Sequence, residues 1–243
     1  MEPLTRFSER AADYAKHRPD YPDAVFEALL DGLKPPITAA DVGAGTGISS
    51  RALADRGVDV IAVEPNQAMR EVADKHAGVR YMDGAGESMP LPDASVDLVT
   101  CFQSFHWLEG AKALTEFHRV LKPHGRLALV WNIRDRNDPF TASYSEIVVR
   151  YASSPAAEDR PDVAAPLFAE QSFTDLRTLI FPHRQRLNLE GLLGRARSVS
   201  YLPKSGPEAV KLIAGLEALF DRWNRSGIVD LIYETFLYRA TRG

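Results

Sequence analysis

The stretch Asp41-Val42-Gly43-Ala44-Gly45-Thr46-Gly47 constrains this chain more than any other. A short apolar run, Ala39 to Val42, leads into it, and its three glycines alternate with other residues. Glycine reaches left-handed backbone without penalty and carries no Cβ, so such a loop turns tightly and lets a ligand approach the main chain. Residues 47–56, closed by Gly57, read as a helix, and its first free N–H groups face the same crevice. A strand that turns on glycines into a helix belongs to an open parallel sheet, whose ligands bind beyond the carboxyl ends of the strands.

The same alternation continues downstream. Val58 to Val63 is a buried-strand run. Asn66 is placed to cap a helix that carries Met69, Val72 and Ala73 inward and stops at Gly78. Val79 to Met82 and Val96 to Phe102 read as strands. Residues 110–121 form a helix with Leu114, Phe117 and Leu121 on one face. Lys122 to Gly125 is a turn, and Arg126 to Trp131 is apolar almost throughout, as a strand covered on both faces is. Upstream, residues 4–16 read as helical, the prolines in Arg18 to Pro22 break the chain, and residues 22–31 form a helix. Downstream, residues 134–172 read as an insertion over the sheet's carboxyl edge, with a helix near 141–151. Residues 176–188 and 228–239 are late strands, with helix over roughly 190–224 around Leu212, Leu216, Leu219 and Phe220. Strands alternating with helices imply an α/β, doubly wound, mostly parallel sheet with helices on both faces and right-handed connections.

The 243 residues, 45% hydrophobic, suffice for one large domain with a well-buried core. A net charge of -4 gives no global positive field for nucleic acid or acidic membranes. The one cysteine, Cys101, excludes an intrachain disulfide and a cysteine-based zinc site. No apolar run approaches the roughly 18 residues of a membrane span. No signal-peptide core follows Met1 to Arg6, so the expected location is cytoplasmic. His76, His118, His124 and His183 lack metal-ligand spacing, and no Gly-x-Ser-x-Gly elbow occurs, so no metal is expected.

Glu64 ends the second apolar run, where a carboxylate can take both hydroxyls of a ribose. A nicotinamide or flavin fingerprint, Gly-x-Gly-x-x-Gly, needs its third glycine at position 48, and Ile48 stands there. An oxidoreductase and a noncatalytic cofactor-binding protein remain as rival readings.

From about Thr38 to Asn132 the chain resembles the core of the class I S-adenosylmethionine-dependent methyltransferases. It is most similar to the ubiquinone-biosynthesis-type and trans-aconitate-methyltransferase-like group. The motifs are Asp41 to Gly47; Val63-Glu64-Pro65-Asn66 with Met69; Gly84 to Val99; and Arg119-Val120-Leu121-Lys122-Pro123-His124-Gly125-Arg126-Leu127. Tyr14 to Pro22 resembles the N-terminal cap of the trans-aconitate-like subgroup. The resemblance implies a Rossmann-like, seven-stranded sheet with an N-terminal helical cap and a late helical insertion. It implies a single domain over 1–243: a cap (1–35), a cofactor-binding core (36–133), and an insertion or lid with late strands (134–243). It also implies S-adenosyl-L-methionine as cofactor. The methyl group would go to a small-molecule carboxylate, hydroxyl or activated carbon by metal-independent in-line displacement, in a monomer or homodimer.

Residue by residue, the resemblance has Asp41 orient the methionine end of the cofactor, with Gly43, Ala44, Gly45 and Gly47 following its backbone. Glu64, beside Pro65, takes the ribose. Asn66 and Met69 edge the adenine, with a plain core role as the alternative for Met69. Ala85, Gly86 and Glu87 also meet the adenine, although many relatives carry aspartate where this chain has Ala85. Gln103 and Ser104 complete the cofactor set at the end of the fourth strand. His106 is the candidate general base, since histidine titrates near neutrality; shaping the pocket is its alternative. Phe105, Trp107 and Trp131 are candidates for the acceptor side, or core. Tyr14, Arg18 and Tyr21 form a candidate lid, with Arg18 facing a carboxylate of cofactor or substrate; a surface turn with Arg18 solvated is the alternative. His183 to Arg186, Arg195 and Arg197 either meet an anionic substrate or form solvated faces.

Overall fold

A computed structural model describes residues 16–153, 164 and 172–243. Tyr14 and most of the expected first helix lie outside the described residues. The described elements run α1 (Asp23–Leu30), β1 (Ile37–Val42), α2 (Ile48–Ala54), β2 (Val58–Val63), α3 (Gln67–Val72), β3 (Val79–Met82) and β4 (Val96–Phe102). A single 3-10 turn at Phe105–Trp107 precedes α4 (Gly110–Val120), β5 (Leu121–Arg134) and α5 (Pro139–Tyr151). The chain ends with β6 (Phe173–Leu187), α6 (Leu189–Arg197), α7 (Gly206–Trp223) and β7 (Val229–Arg242).

All the strands join one seven-stranded sheet in the order β3-β2-β1-β4-β5-β7-β6. Pairs from β3 through β5 are parallel, whereas β7 is antiparallel to both β5 and β6. The strand order reverses between β1 and β4, so the ends of those two strands diverge into a crevice. Alternate residues of one strand feed opposite cores. Ile37 and Ala39 of β1 pack with Val25, Phe26 and Leu29 of α1 and Leu53 of α2. Ala40 and Val42 pack on the other side with Leu114 and Phe117 of α4. A third core joins α5, α6 and α7 to Leu187, Val229, Leu231 and Tyr233, at the end of β6 and the start of β7. Because β7 runs against β5, that third core covers the carboxyl edge of the parallel strands.

Three boundaries differ from the sequence expectation. The helix after Asn66 stops at Val72 rather than Gly78: Ala73 turns extended, and His76 Nδ1 accepts the Gly78 N–H at 3.0 Å. β5 starts at Leu121, because residues 122–125 loop out between the pairs Val96–Leu121 and Leu98–Arg126. The stretch expected as helix over 190–224 is two helices, α6 and α7, divided before Gly206.

Candidate functional site

The glycine loop leaves β1 at Val42 and crosses to α2. Gly43, Gly45 and Gly47 all adopt positive φ, at 66°, 57° and 79°. Gly43 N donates to Val63 O at 2.8 Å, which holds the loop to the end of β2. A Cβ on Gly43 would lie 2.5 Å from Ser104 Cβ, and one on Gly47 would collide with the Tyr81 hydroxyl. These two glycines are therefore demanded by strand-end packing inside the protein, and not only by clearance for a ligand. Ser104 Oγ donates to Val42 O at 2.6 Å and fixes the approach of the β4 end. Tyr81, on β3, donates to Gly45 O at 3.4 Å, and Arg51 Nη1 donates to Thr46 O at 2.7 Å.

Two carboxylates sit under this loop. Asp41 is wholly buried. Its Oδ2 accepts from Ser49 Oγ at 2.7 Å and Ser50 Oγ at 2.6 Å, and its Oδ1 from Thr100 Oγ1 at 2.8 Å. Burial pushes its carboxyl up from the usual range, and the three hydroxyls oppose that shift. Asp41 is thus turned inward, tying the first turn of α2 to β4. Glu64 is 7% exposed; its Oε2 accepts from Gly45 N and its Oε1 from Asn66 N, both at 2.8 Å. Burial also pushes this carboxyl up, against the pull of those two N–H groups. Each oxygen keeps acceptor capacity for a further hydroxyl. Asn66 caps α3 by accepting from Met69 N at 3.3 Å, Met69 is buried, and Pro65 is exposed.

The third motif curls beside these strand ends. Ala85 is exposed and bridges to Ser88, while Gly86 is buried where a Cβ would fall 2.6 Å from Leu108 Cδ1. Glu87 accepts from Glu109 N at 2.7 Å, so its carboxylate is used at the start of α4.

A cleft of about 480 Å³, open to solvent, runs from the glycine loop to the third core. Gly43, Ala44, Ile48 and Ser49 form one wall, and Phe102, Gln103 and Asn132 the floor at the ends of β4 and β5. Arg18, Pro19, Tyr21, Arg195 and Tyr233 complete it. Gln103, at φ 57°, donates through Nε2 to Asn132 O at 2.9 Å. Asn132 Nδ2 in turn donates to Asp20 O at 2.9 Å, fastening the N-terminal segment over the strand ends. Arg18 Nη2 reaches Ser198 O at 3.3 Å, and Gln185 Nε2 donates to His17 O at 2.9 Å. The Tyr21 ring meets Phe102 edge-on, with centroids 4.7 Å apart. The structure thus brings Arg18 and Tyr21 to the loop.

Phe105, His106, Trp107 and Trp131 are not among the described walls of the cleft. Phe105 is buried beside Phe117, Trp107 is 38% exposed, and Trp131 packs against Tyr238. Trp131 Nε1 donates to His106 Nδ1 at 3.4 Å. Sequence reasoning missed Tyr81, Asn132 and Tyr233, and left Arg195 undecided. Arg195 is 6% exposed, whereas Arg197, Arg184 and Arg186 are exposed. Among the described residues no cluster of three His, Cys, Asp or Glu side chains could hold a metal, and no helix is long and apolar enough to cross a membrane.

Comparison with known proteins places the chain among methyltransferases. A family described as a methyltransferase domain matches residues 40–129. An uncharacterized methyltransferase of Schizosaccharomyces pombe is 34% identical over 233 residues, covering 93% of this chain and 91% of that one. A demethylmenaquinone methyltransferase of Renibacterium salmoninarum is 32% identical over 143 residues, covering 58% and 60%. Among solved structures, a provisionally assigned type II methyltransferase from Anaeromyxobacter dehalogenans superposes with a TM-score of 0.66 at 25% identity, covering 93% of this chain and 96% of that one.

Proposed function

The chain belongs to the class I S-adenosylmethionine-dependent methyltransferases, and from that premise we propose that it methylates a small molecule held in the cleft above β1, β4 and β5. The observation that carries this reading is the continuity of the cleft: one wall is the glycine loop, and the far end is Arg195 and Tyr233. A cofactor lying along the loop then shares one space with an acceptor at the other end. Kinship with the ubiquinone-biosynthesis-type group is supported by the R. salmoninarum relative.

The residues present fit the cofactor. Glu64 retains acceptor capacity for a ribose, and its grip on Gly45 N shapes the loop in advance. Gly43 and Ala44 expose main chain to the cleft, and Arg18 beside them suits the carboxylate of the amino-acid end. Asn66 and Met69 close the side expected for the adenine. Ala85 supplies no carboxylate there, so main-chain groups near Gly86 take that role. When bound, S-adenosylmethionine supplies a methyl group on a sulfonium, already activated for displacement. The protein's part is position and exclusion of water. Gln103 and Asn132, linked to each other and to Asp20, hold the floor rigid. Tyr21 and Pro19 roof the loop and limit water. Asp41 acts through Ser49, Ser50 and Thr100 as a positioning residue. An ionised acceptor oxygen needs no base, in keeping with the engaged lone pair of His106.

Calorimetric titration with S-adenosylhomocysteine, followed by a radiolabelled methyl-transfer screen over carboxylic acids, phenols and quinone precursors, tests this. Saturable binding of S-adenosylhomocysteine and label in at least one small acceptor are expected. Binding of NAD in its place would overturn the reading.

A further inference from the structure

Residues 17–21 form a strap along the cleft, and Arg18, Pro19 and Tyr21 are part of its wall. Pro19 fixes its own φ, and Pro22 keeps Tyr21 out of helical backbone, so the strap builds no helical ladder of its own. Two side-chain amides take its carbonyls. Gln185 Nε2 of β6 donates to His17 O, and Asn132 Nδ2 of β5 donates to Asp20 O, both at 2.9 Å. Hydroxyls of β7, the strand between β5 and β6, orient both amides: Tyr233 donates to Gln185 Oε1 at 3.5 Å, and Thr235 Oγ1 to Asn132 Oδ1 at 2.6 Å. Each amide is thereby turned to offer its N–H side to the strap. His183 Nε2 also lies 3.2 Å from Asp20 Oδ1, but that carboxylate is 80% exposed and the pair adds little.

The strap is seated on α6 as well. Arg18 Nη2 donates to Ser198 O at 3.3 Å, and the His17 ring lies against Gly194. A Cβ on Gly194 would fall 2.4 Å from His17 Nε2 and 2.5 Å from its Cδ2 and Cε1. Gly194 is buried inside a nine-residue helix and does not have the left-handed backbone that calls for glycine. Glycine weakens a helix interior relative to alanine. The space it leaves is filled by the His17 ring, so α6 carries a notch shaped for the strap. These attachments are side-chain contacts, whereas the ends of β4 and β5 across the cleft are fixed in the sheet ladder. A few such contacts oppose the freedom of five residues, which is the balance found in segments that open locally.

We propose that the strap is a gate, and that Gly194 and Gln185 are positioning residues that seat it and so set how long a ligand stays beside the glycine loop. Neither residue is among the described walls of the cleft; each acts through His17. The ligand's identity, S-adenosylmethionine or its demethylated product, rests on the methyltransferase reading; the gate adds control of its exchange.

The test follows S-adenosylhomocysteine release by stopped-flow displacement and, without ligand, trypsin cleavage after Lys16, which tracks the opened population. Gly194→Ala is expected to speed both about tenfold. Its urea midpoint should equal or exceed the parent's, because the helix itself gains. His17→Ala, added to Gly194→Ala, removes the ring that the new methyl meets and keeps the His17 carbonyl. Both rates should then return to within about threefold of the parent's. Gln185→Leu should speed both about fivefold, and it reports even where Gly194→Ala fails to fold. Unchanged rates in both Gly194→Ala and Gln185→Leu would overturn the proposal. So would a Gly194→Ala effect that His17→Ala does not relieve, because the alanine would then act through α6 itself. If the parent fails to bind S-adenosylhomocysteine, the methyltransferase reading is struck, and the cleavage rates still decide the gate.

Discussion

On the glycine-loop side of the cleft, the buried charges are carboxylates, and the protein itself satisfies them. Asp41 has three hydroxyl donors, and Glu64 has two main-chain N–H donors. On the helical side the buried polar groups are the Arg195 guanidinium, the Tyr144 and Tyr233 phenols and the hydroxyls of Thr141, Ser145 and Ser198, and the Tyr144 hydroxyl meets no partner among the described residues. The first side is a finished scaffold: its shape is fixed before any ligand arrives, which lowers the ordering cost of binding. The second side is built from α5, α6, α7 and the start of β7, around a core of its own. The first wall is thereby suited to a ligand of fixed shape.

The largest effect should come from breaking the finished side. Gly47 sits at φ 79°, and a Cβ there would collide with the Tyr81 hydroxyl. Left-handed strain and the collision together should make Gly47→Ala cost about 3 kcal/mol in urea denaturation, with loss of S-adenosylhomocysteine binding. Adding Tyr81→Phe should recover part of the stability, because it removes the clash and leaves the backbone strain. An unaltered Gly47→Ala protein would show that the loop is not shaped by its neighbours.

Next in size is Asp41→Ala, which leaves the hydroxyls of Ser49, Ser50 and Thr100 without their acceptor; about 2 kcal/mol of stability should be lost. The sign of its pH dependence follows from the raised carboxyl. Folding favours the protonated form, so the folded state binds more protons between the unfolded and folded pKa values. Stability contributed by this group is fullest in acid and falls as pH rises through the folded pKa. Subtracting the Asp41→Ala curve from the parent's cancels the other titrations. The gap should therefore be widest in acid and shrink toward neutral pH. A gap that widens with pH would mean that the three hydroxyls outweigh burial.

Smaller again is Arg18→Ala. If Arg18 takes the carboxylate at the amino-acid end, S-adenosylhomocysteine should bind about tenfold more weakly, which is about 1.4 kcal/mol. Methylthioadenosine, which lacks the amino-acid end, should bind as before. Equal weakening of both ligands would instead assign Arg18 to holding the N-terminal segment on Ser198.

The two sides also differ in how far the sequence reveals them. Val58–Val63, Val79–Met82 and Val96–Phe102 are strands over the expected residues, because each is a short run rich in apolar and β-branched side chains, even where β3 at the sheet edge is only partly buried. The loop and Glu64 were legible since their chemistry depends on local spacing. Tyr81 was not: its contact with Gly47 is made across strands, and nothing local marks it. Arg195 left a faint signal. It stands three residues after Leu192 and four before Val199, both buried, so it belongs to the inward face of α6, whereas Arg197 points away. Arg134 and Tyr144 meet only because β5, β7 and α5 pack together at the carboxyl edge, a tertiary fact with no short-range pattern.

The smallest expected effect lies between the two sides, at His106. Its position just beyond β4 suits a base, but Nδ1 accepts from Trp131, and the residue is not among the described walls of the cleft. Where the acceptor attacks through an oxygen that is already ionised, there is no proton to remove. His106→Gln should therefore change turnover by less than about threefold, since a true general base contributes roughly a hundredfold or more. The pH profile decides between the readings more finely than the rate. A base at His106 would make turnover of the parent fall as pH drops through the histidine range, and His106→Gln would abolish that fall. An acceptor that is anionic throughout the range predicts parallel profiles for the two proteins. A hundredfold loss together with a vanished histidine limb would return the base to His106. The attacking atom of the acceptor would then have to carry a proton until His106 removes it.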